Sequence, residues 1–168
     1  MKYFSGFGFK DEIEIFSFLK KSEFLVAGFS YGAIRAFEYV YKENSRVDKL
    51  ILISPAFFQD RDEKFKKLQL IFFKKDPKKY FENFYENVIF PSNIYIEKYK
   101  KDDSFENLKE LLYYKWNQDK LNELIKRGIK IEVYLGEKDK IINSNLAYDF
   151  FKSFATVYFI KNVGHLLV

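Results

Sequence analysis

Apolar and polar positions along the chain follow two rhythms. Short apolar runs stand at Lys2-Tyr3-Phe4, over residues 23–27, at Lys49-Leu50-Ile51-Leu52-Ile53, and over residues 129–135 and 156–160. Each is a strand by length and content, and the unbroken run at 49–53 suits a parallel sheet covered on both faces. Between them the spacing becomes helical. The pattern predicts helices over 11–21, with Ile13, Phe16 and Leu19 turned to the core, and over 33–41, 121–127 and 143–154. Gly128 closes the helix over 121–127. From 56 to about 118 the pattern is helical with no convincing strand. Asp76-Pro77 supplies an N-cap and a first-position proline, Tyr80, Phe81, Phe84, Tyr85 and Val88 make one broad apolar face, and Ser104 caps a helix carrying Phe105, Leu108, Leu111 and Leu112.

Strands alternating with helices predict an α/β fold of about five parallel strands, with residues 56–118 inserted after the third as a helical lid. All 168 residues then form one domain. If every crossover is right-handed, the strands lie in chain order. That order leaves one sheet face poorly covered, to be hidden by lid helices, the termini or a second subunit. The lid's aromatic faces are expected to be half core and half pocket wall.

Composition narrows the chemistry. Apolar residues make up 48% and charged residues 32%, the balance of a globular chain. No cysteine is present and there is one histidine, so disulfides, thiolate metal sites and His-rich clusters are excluded; no cofactor or metal is expected. The start lacks a signal peptide and no run has the length of a membrane span, which makes a cytoplasmic, soluble protein the expectation. Aromatics reach 21%, a content that serves a bulky core, a lipid-like ligand or base stacking alike. Here they follow helical faces rather than a sheet face, which argues against nucleic acid. The net charge of +5 is concentrated: over residues 61–79, Arg61, Lys64, Lys66, Lys67, Lys74, Lys75, Lys78 and Lys79 face only Asp62, Glu63 and Asp76. Such a field favours an acidic partner; a solvated lysine-rich helix face is the plainer reading.

Gly28-Phe29-Ser30-Tyr31-Gly32 stands between the strand over 23–27 and the helix over 33–41. Gly-x-Ser-x-Gly in that context is a tight turn that lifts a serine hydroxyl above the sheet and aims the Tyr31 N–H at any anion formed beside it. An inert strand-to-helix turn would read the same way. Ser5-Gly6-Phe7-Gly8-Phe9 follows the first strand and is placed to supply a second donor, the N–H of Phe7. Asp139 follows the fourth strand in Gly136-Glu137-Lys138-Asp139, with Glu137 as the alternative acid, and His165 follows the last strand in Asn162-Val163-Gly164-His165. Ser30, Asp139 and His165 stand in the order nucleophile, acid, base. An imidazole can take the serine proton and return it to a leaving group, and a carboxylate fixes the imidazole tautomer.

The chain resembles the alpha/beta-hydrolases, and more narrowly the small pimeloyl-[acyl-carrier protein] methyl ester esterases of biotin synthesis, the BioV type. Phe4-Ser5-Gly6-Phe7-Gly8-Phe9 and Gly28-Phe29-Ser30-Tyr31-Gly32-Ala33-Ile34 carry the resemblance. So do Lys67-Leu68-Gln69-Leu70, Lys75-Asp76-Pro77, Asn83-Phe84-Tyr85, Lys130-Ile131-Glu132-Val133 and His165-Leu166-Leu167. It implies Ser30, Asp139 and His165 as a catalytic triad and Phe7 and Tyr31 as oxyanion donors. It also implies acyl-carrier protein bearing a pimeloyl methyl ester as the partner, with no cofactor, nucleic acid or membrane. Two features depart from the wider pattern: Ser5-Gly6 stands where His-Gly is usual, and the link from that loop to Ser30 is too short for an extra strand and helix. A general short-chain carboxylesterase or thioesterase is the alternative enzyme, and a non-catalytic module binding carrier protein or nucleic acid the alternative from another class. Oligomeric state is left open.

Overall fold

A computed structural model of the chain describes residues 1–20 and 22–168. Five strands, β1 (Lys2–Phe4), β2 (Leu25–Phe29), β3 (Lys49–Ile53), β4 (Lys130–Gly136) and β5 (Thr156–Ile160), form one sheet in chain order with every neighbouring pair parallel. The helices are α1 (Tyr31–Lys42), α2 (Glu63–Lys75), α3 (Pro77–Ile89), α4 (Phe105–Tyr113), α5 (Gln118–Lys126) and α6 (Ser144–Phe151). The expected parallel α/β sheet is thus present, with a helical insertion after the third strand. β2 runs two residues beyond its expected end, because Gly28 and Phe29 pair with Leu52 and Ile53. α5 starts three residues earlier than expected, since the Asn117 side chain accepts the Lys120 N–H at 2.9 Å. Asp76 and Ser104 cap their helices as expected, through the N–H groups of Lys79 and Asn107. Among the described residues no helix is long and apolar enough to cross a membrane.

Register and side-chain contacts tell the two sheet faces apart. Phe4 meets Tyr39 of α1, and Phe159 meets Tyr148 of α6, so α1 and α6 cover one face. The core there joins Leu50, Leu52, Val133 and Leu135 to Phe37, Val40, Leu121, Leu124 and Phe151, all fully buried. The single tryptophan, Trp116, packs between Phe37 and Phe151 and donates its indole N–H to the Ala56 carbonyl at 3.0 Å. On the other face, Phe29 of β2 takes Phe16, and Tyr134 of β4 stacks on Phe18 and on Tyr158 of β5, each at 4.6 Å. The β1–β2 connector, residues 5–24, covers much of the second face through Phe16 and Phe18, and the C-terminal loop adds the His165 ring, which packs 5.1 Å from Phe29. Cover thins toward β5, where Tyr158 stays 43% exposed.

The steps from β1 to β2 and from β2 to β3 run the same way across the sheet but over opposite faces, so the first crossover has the hand opposite to the second. The right-handed rule describes a helix packed back on its sheet, and the described residues of this connector hold no such helix. The helix expected over 11–21 is instead one 3-10 turn, Glu12–Ile15, followed by a turn at 17–18 and irregular chain; Lys21 lies outside the described residues. Phe16 is buried as expected, whereas Ile13 and Leu19 are half-buried. The reason is Glu12. Its fully buried carboxylate turns inward to accept the Gly6 N–H at 2.8 Å and the Tyr3 hydroxyl at 3.0 Å. Asp11 ahead of it takes a left-handed conformation, φ 56°. A polar anchor at that position overrides the apolar period.

Candidate active site

Ser30 joins β2 to α1 with φ 53° and ψ −115°, a strained conformation for a residue with a side chain. The turn is over-determined on all sides. The Ser30 N–H donates to the Ile53 carbonyl at 2.8 Å, and its carbonyl accepts the N–H groups of Ala33 (3.1 Å) and Ala56 (3.0 Å). A Cβ on Gly28 would run into the Gly32 backbone, and one on Gly32 into the Phe4 carbonyl of β1. Both glycines are thus dictated by close approach of backbone, as expected for a nucleophile elbow.

The structure brings Ser30, His165 and Asp139 together. His165 Nε2 lies 3.0 Å from Ser30 Oγ, and Nδ1 lies 2.6 Å from Asp139 Oδ2. The imidazole is fully buried and packs its ring 5.1 Å from that of Phe29. A carboxylate only accepts, so it accepts a hydrogen bond from Nδ1–H, which keeps the proton on Nδ1 and leaves Nε2 free to accept from the serine hydroxyl. Asp139 uses its other oxygen to accept the N–H groups of Ile141 (2.7 Å) and Ile142 (3.1 Å), which fixes the carboxylate in its loop. Glu137, the alternative acid, is exposed and accepts the Asn162 N–H at 3.0 Å.

Phe7 sits in the loop after β1 and, like Ser30, lines a cavity of about 680 Å³. Within that loop the Gly6 N–H goes to Glu12, the Gly8 N–H to Asp103 at 3.0 Å and the Phe9 N–H to the Gly6 carbonyl. Among the described residues no acceptor is bonded to the Phe7 N–H, nor to the Tyr31 N–H at the start of α1. The cavity walls are Phe58, Phe65, Tyr80, Phe84, Leu108, Leu111 and Leu112; its exposed rim carries Phe72, Lys75, Lys79, Asn83, Asn87 and Lys140. α3 divides as expected, with Tyr80 and Phe84 on the cavity and Phe81, Tyr85 and Val88 buried. Among the described residues no group of His, Asp and Glu side chains is placed to hold a metal ion.

No protein-family model matches the chain, and no curated protein matches its sequence. Solved structures do. An esterase from Exiguobacterium antarcticum superposes with a TM-score of 0.65 at 20% identity, over 92% of this chain and 64% of that one. BioG from Haemophilus influenzae gives 0.59 at 14% identity, over 98% of this chain and 87% of that one. MenH from S. aureus gives 0.59 at 14%, over 97% and 85%. The fold is that of the alpha/beta-hydrolases. The chain spans less than two thirds of the Exiguobacterium esterase. At these identities the likeness is one of fold.

Three residues of this site escape sequence reading. Ser54, fully buried with φ 40°, donates its hydroxyl to the His165 carbonyl at 2.7 Å and so holds the histidine loop against the end of β3. Its only signal is its place directly after a strand, where sites of doubly wound sheets collect. Glu12 and Asp103 grip the Phe7 loop from connector and lid, and read as ordinary surface acids in sequence. Burial pushes the Glu12 carboxyl above its usual range. The Tyr31 phenol is raised as well, by burial first and then by the Glu110 carboxylate that accepts its hydrogen at 2.9 Å.

Proposed function

We propose that the chain is a serine esterase that hydrolyses the methyl ester of pimeloyl-[acyl-carrier protein], giving the free carboxylate and methanol, in biotin synthesis. The observation that carries an ester hydrolase is the hydrogen-bonded series Ser30–His165–Asp139 at 3.0 and 2.6 Å, opening on a largely apolar cavity. Ser30 Oγ attacks the ester carbonyl as His165 Nε2 takes its proton, and Asp139 stabilises the imidazolium. The N–H groups of Phe7 and Tyr31 hold the oxyanion. Collapse breaks the carbonyl–methoxy bond, and methanol leaves with the proton from His165. Water, deprotonated by the same imidazole, then attacks the acyl-serine, and Ser30 regains its proton as the carboxylate departs.

The narrower substrate rests on the resemblance to the BioV type, and the likeness to BioG is in keeping with it. The cavity suits an apolar acyl chain. Beside its mouth α2 presents exposed Leu68, Ile71 and Phe72 among lysines, a surface matched to an acidic carrier. A general short-chain carboxylesterase is the second reading, favoured by esterases among the structural neighbours.

The test compares turnover of pimeloyl-carrier methyl ester and of short nitrophenyl esters by wild type, Ser30→Ala and Asp139→Asn. Ser30→Ala should lose on the order of a millionfold in kcat, and Asp139→Asn on the order of 10⁴-fold. Wild type should rescue a biotin auxotroph lacking its esterase, and Ser30→Ala should not. Turnover confined to small esters would select the second reading, and full activity in Ser30→Ala would end both.

A further inference from the structure

The loop that presents the Phe7 N–H is held from the lid. Gly8 is the point of attachment: its N–H donates to Asp103 Oδ2 at 3.0 Å, and its carbonyl accepts the Tyr85 hydroxyl at 2.6 Å and the Lys101 N–H at 2.9 Å. Phe9 makes an antiparallel bridge with Lys100, and the Lys10 N–H donates to the Tyr99 carbonyl at 2.8 Å. Residues 99–103, which lead into α4, are therefore strapped along residues 8–10. Tyr31 reaches the same helix from the other wall, its hydroxyl 2.9 Å from Glu110 Oε2 and 3.3 Å from Asn107 Oδ1. Asn107 Nδ2 donates to Asp103 Oδ1 at 2.6 Å. A polar path thus runs from the Gly8 N–H through Asp103 and Asn107 to the Tyr31 hydroxyl, whose one hydrogen Asn107 Oδ1 shares with the nearer Glu110 carboxylate. It links the residues beside both N–H groups through the first turn of α4 rather than through the sheet.

We propose that Asp103 is a positioning residue for the oxyanion hole: with Asn107 it locks the Phe7 loop to Tyr31, so that the hole is complete only with the start of α4 in place. This rests on the esterase reading, in which Phe7 and Tyr31 are the donors. A loop with glycine on both sides of Phe7 has little stiffness of its own, and hydrogen bonds to a developing anion lose strength steeply when a donor is misplaced. The effect belongs to the transition state, so it should fall on kcat rather than on KM.

The test uses the full chain with Asp103→Ala, Asn107→Ala and the double variant. It reads steady-state kinetics on a short nitrophenyl ester, inhibition by a trifluoromethyl ketone whose adduct with Ser30 carries the oxyanion, and amide hydrogen exchange over residues 6–9. Asp103→Ala should lower kcat about tenfold, a fraction of the ~100-fold or more set by a whole donor, with KM within twofold. Ketone affinity should drop by the same factor, and exchange at Gly8 should quicken. The double variant should be little worse than Asp103→Ala, since both residues lie on one path. Unchanged exchange over 6–9 in folded Asp103→Ala would overturn the proposal whatever the enzyme's activity. So would a loss that falls on KM and spares the ketone. If Asp103→Ala does not fold, Asp103→Asn, which leaves one acceptor oxygen for the two that the Gly8 N–H and the Asn107 Nδ2 now use, reads the same quantities with the same signs expected. A wild type inert toward all esters would fail the esterase reading separately, with the exchange result still deciding whether Asp103 orders the loop.

Discussion

Glu12 shows what a single buried charge does next to a functional loop. Its Oε1 takes the Gly6 N–H and the Tyr3 hydroxyl, while Oε2, among the described residues, has no partner. Burial is the largest influence and raises its pKa above 4.5; the hydrogen bonds from Gly6 and Tyr3 oppose it. A carboxyl that binds its proton more tightly folded than unfolded supports the fold fully below its unfolded pKa. That support is lost as pH rises through the folded one. Glu12→Gln keeps an acceptor and removes the charge. Its Tm relative to wild type should therefore climb as pH rises from about 4.5 through the raised pKa, then level off. A Tm difference independent of pH would refute this. Glu12→Ala, which strands the Gly6 N–H and the Tyr3 hydroxyl, should cost about 1–3 kcal/mol at low pH, and less as pH rises through the raised pKa and wild type loses its own support. At this scale Ser30, Asp139 and His165 were legible because their chemistry restricts residue type, chain order and place after a strand. Glu12 and Asp103 were not, because a supporting acid carries no signature until burial and its partner are known.

At the scale of elements, periodicity located α3 but could not divide its apolar face, because a cavity wall and a core are both lined by apolar side chains. The structure makes the division. Phe81 is 9% exposed and packs against Phe7, Phe73 and Tyr85, while Phe84 is half-buried with its ring toward the cavity. Phe81→Ala should then lower stability by about 3–5 kcal/mol, seen as a shifted denaturant midpoint at unchanged slope. Phe84→Ala should cost clearly less and instead shift the chain-length profile of kcat/KM toward bulkier acyl groups. Equal stability losses with an unaltered profile would mean that both rings are simply core. In the connector over 5–24 the pattern misleads for the converse reason. Its apolar spacing fits a helix, yet the segment must bring Glu12 under Gly6 and lay Phe16 and Phe18 on the sheet. One 3-10 turn does that where a continuous helix would not. Strand order was legible from the alternation of elements; the hand of the first crossover was not, since it depends on that connector.

Across the whole molecule the charge excess and the cavity mouth coincide. Residues 61–79 contain all of α2 and the start of α3, and Lys75, Asp76 and Lys79 stand on the rim of the cavity that Ser30 lines. Ile71 and Phe72 on α2 are 56% and 52% exposed, which leaves an apolar stripe bordered by Lys64 and Lys67. A bulky acidic carrier meeting this surface would gain mainly in encounter rate and orientation, and those gains are screened by salt, with a Debye length of about 10 Å at 0.1 M. A small neutral ester entering the same cavity has no such dependence. Lys64→Glu with Lys67→Glu lies outside the cavity lining, so it should raise KM for the carrier-borne ester several-fold and leave kcat/KM for a nitrophenyl ester within twofold. Raising salt should weaken wild type toward the variant on the carrier substrate alone. If both substrates respond alike, the lysines act through the fold. If neither responds, the basic face is only a solvated surface and the carrier docks elsewhere. The comparison therefore separates a surface shaped by its partner from one shaped by solubility, which net charge by itself could not do.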